Sequence, residues 1–262
     1  MRRWSERFGY IRRLRDFPIE TARSSAALLE ANRRFYDSLW SGARLVMPDR
    51  FNTWPLVQSL FTGGTRALEV GPGLRPRLPL ETTRFVDISV PALAKLHERG
   101  AEVVLGRITS LPFAASKFDL TCALDVVEHV DDDDRALAEL SRVTHPGGIV
   151  LVSTPLHPSR WTAFDEFVGH QRRYEPSALL AKLARSELMV ERSAVFGMAP
   201  RSTHLTELGL WWLTHHRERA LWWYNRLFMP IALRLQLELQ LCPGMIAADT
   251  ADEVLLVCRR GP

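Results

Sequence analysis

The sequence predicts an α/β fold in which a mostly parallel sheet is covered by helices on both faces. Three observations predict it. Short apolar runs bounded by Gly, Pro, Asp or Ser recur through the middle of the chain, stretches of helical spacing alternate with them, and the first run opens into a glycine pair.

Residues 19–40 read as one N-terminal helix, with Pro18 just before it and Leu28, Phe35 and Leu39 among its apolar positions. Preceding the first strand, it is placed to fold over the carboxyl edge of the sheet as a lid. Ala67–Val70, Phe85–Asp87, Val103–Leu105, Phe118–Leu124 and Ile149–Ser153 are five buried strands. Pro91–Arg99 and Asp133–Val143 carry helical spacing between them, the second with Leu137, Leu140 and Val143 on one face and "HPGG" as its stop. A helix over Ser177–Glu187 leads to a sixth strand near Met189–Phe196, and "DEVLLVCRR" closes the chain as the seventh. Met198–Thr250 interrupts the last two strands. Trp211, Trp212, Trp222 and Trp223 come there in pairs 11 apart, about three helical turns. "LRLQLELQL", residues 233–241, alternates like a strand, while its Leu, Gln and Glu content favours a helix, which is the reading taken. The organisation that follows is a lid over 1–62, a core over 63–197, a helical cap over 198–250 and a final core strand over 251–262.

Composition narrows the class. With 262 residues and 46% hydrophobic content, the chain can bury one sizeable core with material left for a lid or cap. The net charge of +4 gathers partly in arginines crowding residues 2–23, a pattern read as a solvated face, and no appended nucleic-acid module is visible. No apolar stretch follows those arginines, so no signal peptide is expected. No uncharged run reaches the roughly 18 residues of a membrane span, which leaves membrane contact peripheral at most. Cys122, Cys242 and Cys258 lie far apart without C-x-x-C spacing, which points to a reducing, cytoplasmic setting.

In open parallel sheets the ligand sits beyond the carboxyl ends of the strands, and the first strand-to-helix turn provides close backbone approach. Glu69, Gly71 and Gly73 fit that demand, and Asp87, ending the second strand, can accept both hydroxyls of a ribose. The dinucleotide fingerprint is excluded, because its third glycine would fall on Pro76. Pro76 and Pro79 also make a normal helix after the turn improbable, leaving one short turn and an extended return.

"LPFAASKFDLTCALDVVEHVDDDDRALAELSRVTHPGGIVLVSTP", residues 111–155, resembles the class I S-adenosylmethionine-dependent methyltransferases, most closely the broad small-molecule group that acts on quinones, sugars and natural products. "GHQRRYEPSAL", residues 169–179, resembles a segment common in that group, and the resemblance runs from about residue 65 to 197, resuming at the last strand. It implies a Rossmann-like sheet of seven strands with the last antiparallel. It further implies S-adenosylmethionine as cofactor, with Glu69, Gly71 and Gly73 around the methionine part, Asp87 on the ribose, Ile88 and Ile108 sandwiching adenine, and Leu124 and Asp125 facing the amino group and departing methyl. Two positions depart from the family pattern. Arg75 replaces the third glycine and is a candidate partner for the cofactor carboxylate. Arg107 stands where an acidic residue usually accepts the adenine amino group, and a guanidinium has only donors.

Methyl transfer from a sulfonium is an in-line displacement, so positioning carries much of the catalysis, and a base is needed only for a protonated nucleophile. His129 is the first candidate base, and the resemblance supports a histidine in this loop. Tyr174 is the second catalytic candidate, placed to orient an acceptor hydroxyl or face the sulfonium. Candidate acceptor contacts are Tyr36 and Trp40 on the lid, His157 and His170 after strand five, and Trp222 in the cap. The run Asp131–Asp134 is read as helix capping, and no other histidine and carboxylate spacing suggests a metal. The expected function is methylation of a small apolar or aromatic molecule with release of S-adenosylhomocysteine. Two alternatives stand beside it: another use of the same cofactor, by aminocarboxypropyl transfer or cyclisation, and a non-catalytic methyltransferase-like partner subunit. The tryptophan-rich cap would cover the acceptor, with a homodimer interface or a membrane surface as the other uses of its apolar area.

Overall fold

The computed structural model describes residues 25–197, 211–212, 215–216, 219, 222–247 and 251–262. Its centre is one eight-stranded sheet built from β1 (Ala67–Val70), β2 (Thr83–Asp87), β3 (Glu102–Leu105), β4 (Phe118–Leu124), β5 (Thr144–Pro155), β6 (Leu188–Val195), β7 (Cys242–Pro243) and β8 (Glu253–Arg260). The order is β3-β2-β1-β4-β5-β8-β6-β7. β1 to β5 pair in parallel, and β8 lies antiparallel between β5 and β6. The sequence order reverses at β1, where the chain leaves one half of the sheet for the other, so the crevice at the carboxyl ends of β1 and β4 is where a ligand belongs.

The strands alternate across two cores. Leu68, Val70, Val150, Val152, Val254 and Leu256 face one side, with helices α4 (Asp133–Val143) and α6 (Pro176–Arg185) packed on them through Leu137, Leu140, Leu179 and Leu183. Ala67, Leu120, Cys122, Leu151, Leu255 and Val257 face the other, under Leu56 and Val57 of α2 (Trp54–Leu60). Helices α1 (Ser25–Ser41), α3 (Val90–His97), α5 (Ala163–Val168) and α7 (Met229–Arg234) complete the described regular elements, apart from short 3-10 and π turns. Leu137 has no exposed surface. Leu137→Ala should lower stability by about 2–5 kcal/mol, read as a reduced midpoint in urea with an unchanged slope.

Three expectations are corrected by the structure. The sheet has eight strands rather than seven, because Cys242–Pro243 adds a short edge strand to β6. α4 stops at Val143, ahead of "HPGG" as expected, but strand five begins before Ile149: Thr144 already pairs with Phe118, and the register shift between Phe118 and Leu120 absorbs the residues between. Only the start of "LRLQLELQL" is helical, because α7 ends at Arg234. Beyond it the chain runs extended, held by Asn52 and Gln236 through hydrogen bonds of Asn52 N to Gln236 Oε1 (3.0 Å) and Asn52 Nδ2 to the Leu237 carbonyl (2.8 Å). Leu239 and Leu241 pack on the core while Leu235 and Leu237, on the same alternation face, are 72% and 75% exposed, so the segment follows neither the helical nor the strand pattern over its whole length. Residues 1–24, including the first six of the expected N-terminal helix, and 198–210, 213–214, 217–218, 220–221 and 248–250 of the cap lie outside the described residues.

Candidate active site

β1 ends in a turn whose geometry only glycine satisfies. Gly71 has φ +69°, and a Cβ there would stand 2.7 Å from Val126 Cγ2. Gly73 has φ +53°, and a Cβ would overlap the Trp40 indole. No helix follows. Instead the Glu69 carboxylate, 3% exposed, accepts the amides of Arg77 (2.9 Å) and Leu78 (2.9 Å), and this staple replaces the hydrogen bonds a helix would have made. Burial pushes the Glu69 carboxyl up to about 7, against the pull of those amides. Glu69, expected at the methionine part of the cofactor, thus shapes the glycine loop itself.

Asp87 closes the other side. Its Oδ2 accepts Gly73 N (2.9 Å) and its Oδ1 accepts Ser89 N (2.8 Å), so one carboxylate ties the glycine turn to the cap of α3. Burial pushes it up to about 6. Two backbone bonds leave lone pairs on both oxygens for further donors. Ile88 is half-buried and Ile108 buried within the core cluster, while Arg107 is exposed. Arg75 lies over the Trp40 ring at 5.5 Å. Arg77, not anticipated from the sequence, is the buried cation of the loop, its guanidinium 3.7 Å over Phe51 and in the field of Asp125 and Glu69.

At the end of β4, Leu124 is half-buried and Asp125 adopts φ +55°, a conformation that L residues seldom hold outside functional turns. Ser153 of β5 fixes it: its hydroxyl and carbonyl accept the Asp125 amide (2.9 and 3.3 Å), and its hydroxyl donates to Asp125 Oδ1. Glu253 of β8 stands beside Asp125, held well above the usual carboxylate range by burial and by hydrogen bonding to it.

The next turn, Val127–His129, presents Glu128 and His129, both buried. His129 Nε2 lies 3.0 Å from the Tyr36 hydroxyl, and its Nδ1 lies 3.3 Å from the Gly169 carbonyl. Burial pulls the imidazole down to about 3, with His170 adding to the effect, so it is neutral at physiological pH. His170 packs edge-on against it at 4.7 Å between centroids. Burial pushes the Tyr36 phenol up, helped by the charges of Glu128, Asp87 and Asp125. Helix α1 packs across these turns. Asn32 donates to the His129 carbonyl (2.9 Å), Tyr36 touches the His129 ring, Trp40 covers Gly73, and Lys95 caps the helix end by donating to the carbonyls of Trp40, Ser41 and Ala43. The eight helical steps from Asn32 to Trp40 span about 12 Å, which carries α1 from the His129 turn to Gly73.

Some expected residues fall elsewhere. Tyr174 is 3% exposed and donates its hydroxyl to Asp133 Oδ2 (2.9 Å), so it braces α4 and does not present a free hydroxyl to an acceptor. Asp132 caps α4 by accepting the Arg135 amide, and Asp133 pairs with Arg172 and Lys182, consistent with the capping read for that acidic run. His157, at φ +60°, starts the turn after β5, and its amide bonds the Tyr174 carbonyl. Trp222 is 52% exposed, and its described ring contacts are Trp223 and Arg226.

Residues 68–152 match the methyltransferase-domain family. The chain carries a methyltransferase domain of the class I, S-adenosylmethionine-dependent kind. It is 28% identical over 152 residues to a tRNA (carboxymethyluridine(34)-5-O)-methyltransferase of Arabidopsis thaliana, covering 55% of this chain and 35% of the relative. It is 40% identical over 85 residues to a demethylmenaquinone methyltransferase of Mycobacterium marinum, covering 31% and 37%. The chain thus spans about a third of the length of either relative. Its fold also matches an N-methyltransferase of Haemonchus contortus in complex with phosphomonomethylethanolamine and S-adenosylhomocysteine, at TM-score 0.56 and 16% identity over 94% of this chain and 61% of that one. Among the described residues no helix is long and apolar enough to cross a membrane.

Proposed function

We propose that the chain transfers a methyl group from S-adenosylmethionine to a small apolar or aromatic acceptor. The observation that carries this reading is Tyr36, which lies in the field of Asp87 and Arg75 at the glycine-turn end of the crevice and of Asp125 and Glu128 at the other, while touching His129. The crevice fits the cofactor: a glycine turn at the end of β1 packed too closely on Trp40 and Val126 for any side chain, Asp87 with lone pairs for ribose hydroxyls, and carboxylates around the position of a cationic sulfonium. The cofactor supplies an electrophilic methyl group when bound. Asp87 holds the ribose, Gly71 and Gly73 admit the aminoacyl end, Arg75 or Arg77 pairs its carboxylate, and Ile88 and Ile108 flank the adenine. Tyr36 offers a π face to the positive charge, and the lid excludes water. His129, neutral and buried, lies at the acceptor end with the Tyr36 hydroxyl on its Nε2. The exposed faces of Trp211 and Trp222 provide apolar area for the acceptor beyond the crevice.

Incubation with the cofactor and a pool of quinols, phenols and total tRNA, followed by mass spectrometry, tests this reading. An acceptor one methylene heavier, with matching S-adenosylhomocysteine, is expected among the small molecules. Methylated tRNA would move the substrate to RNA, and a product formed from cofactor alone would favour a non-methylating use.

The raised Asp87 carboxyl gives a pH prediction. Ribose hydroxyls donate to the ionised form, whose ordinary value of 3.8 burial moves to about 6. Cofactor affinity should therefore hold above that value and fall towards a limit of about tenfold per pH unit below it. Calorimetry between about pH 5 and 8 checks this, and Asp87→Asn should flatten the profile.

A further inference from the structure

We propose that Glu128, His129 and His170 form a binding site for one divalent transition-metal ion, which holds the acceptor's oxygen. The proposal rests on the reading of this crevice as the acceptor end of a methyl-transfer site. Glu128 is 1% exposed, and neither of its carboxylate oxygens has a hydrogen-bond partner. Buried carboxylates are otherwise paired, hydrogen-bonded or metal-bound. Its Oε1 faces His170 Nε2 at 3.7 Å and His129 Nε2 at 4.0 Å, and one ligand atom from each residue lies within 4.8 Å of the others. These separations are too long for hydrogen bonds but match ligands about 2.0–2.2 Å from a shared ion after a small inward adjustment.

The far ring nitrogens fix the tautomers. His170 Nδ1 lies 2.8 Å from Asp165 Oδ1, and His129 Nδ1 lies 3.3 Å from the Gly169 carbonyl. Both partners are acceptors, so each Nδ1 carries the hydrogen and each Nε2 presents a lone pair towards Glu128. Asp165 has no exposed surface and is itself set by Thr162 N (2.7 Å) and Arg173 Nε (2.8 Å), the outer-shell arrangement that orients a metal-binding imidazole. Two imidazoles and one carboxylate suit Zn²⁺, Fe²⁺, Mn²⁺ or Co²⁺ better than Mg²⁺ or Ca²⁺, which prefer oxygen-only sets. Three protein ligands leave positions open, and these take a hydroxyl or phenol oxygen of the acceptor. Tyr36 donates to His129 Nε2 in this structure, so ion binding requires the phenol to turn away. That rotation couples loading of the site to the lid helix.

The full chain, stripped with chelator and free of any affinity tag, is titrated with Co²⁺ alone and followed by visible absorption and metal content. One ion per chain with d–d bands of a mixed nitrogen and oxygen set is expected, with affinity reduced at least about tenfold in Glu128→Gln and in His170→Gln, and about 10–100-fold in Asp165→Asn. His170→Gln preserves bulk, and thermal melts confirm that each variant is folded. Absence of binding to the wild type overturns the site, as does wild-type affinity in both Glu128→Gln and His170→Gln, which would place the ion elsewhere, for instance on His215 and His216. Methyl transfer that persists at full rate in chelator overturns the metal and leaves the methyltransferase reading standing. Binding at these residues without any methyl transfer does the reverse.

Discussion

His129→Ala should slow methyl transfer by about 100-fold or more while changing cofactor affinity by no more than about twofold. His129 sits in the turn after β4, the strand whose carboxyl end faces the glycine cradle, and its ring is fixed from three sides by Tyr36, Gly169 and His170. Every described contact of the ring belongs to the acceptor end, and none reaches Asp87 or the glycine turn, so a truncation there leaves the cofactor's hydrogen bonds in place. The main-chain bond from Asn32 to the His129 carbonyl survives the substitution and keeps the lid docked. Single-turnover kinetics with saturating cofactor separates the chemical step from binding. A rate equal to wild type with the true acceptor would remove His129 from the reaction, and a matching loss of cofactor affinity would show that it acts on the lid instead.

Asp87→Ala should weaken S-adenosylmethionine binding by about 1.5–3 kcal/mol, the usual worth of hydrogen bonds to a charged group. The same carboxylate also receives Gly73 N and Ser89 N, and Ser89 caps α3 by accepting the Ala92 amide. Alanine therefore loosens the glycine turn as well as removing the ribose acceptor. Asp87→Asn keeps the shape and one acceptor oxygen, so comparing the two variants by calorimetry divides the loss between ribose recognition and turn geometry. Wild-type affinity in both would take the ribose away from this residue.

The sheet was legible because its strands are covered on both faces and so read as short continuous apolar runs, Val150 and Val152 packing on one side and Leu151 on the other. The α1 lid was legible from its apolar spacing, and its partners were not. Lys95 and Asn32 lie 52 residues or more from what they hold, and nothing local marks them. Pro76 and Pro79 announced the missing helix, but the Glu69 staple that replaces it depends on a three-dimensional turn. Tyr174 went to the wrong role because adjacency on the rim in sequence does not say which way a side chain faces, and Asp133 had already claimed its hydroxyl. The carboxylate beside His129 was visible in "EHV", yet its significance appears only when the chain brings His170 back from 42 positions downstream of Glu128. Ligands separated that far carry no spacing signature, whereas ligands one helical turn apart would.

The most direct test of the account is the crystal structure of the chain with S-adenosylhomocysteine. The ribose should lie on Asp87, the aminoacyl end over Gly71 and Gly73, and the sulfur should point towards Glu128 and His129 beneath Tyr36. A cofactor bound outside this crevice, or a sulfur turned away from His129, would contradict it.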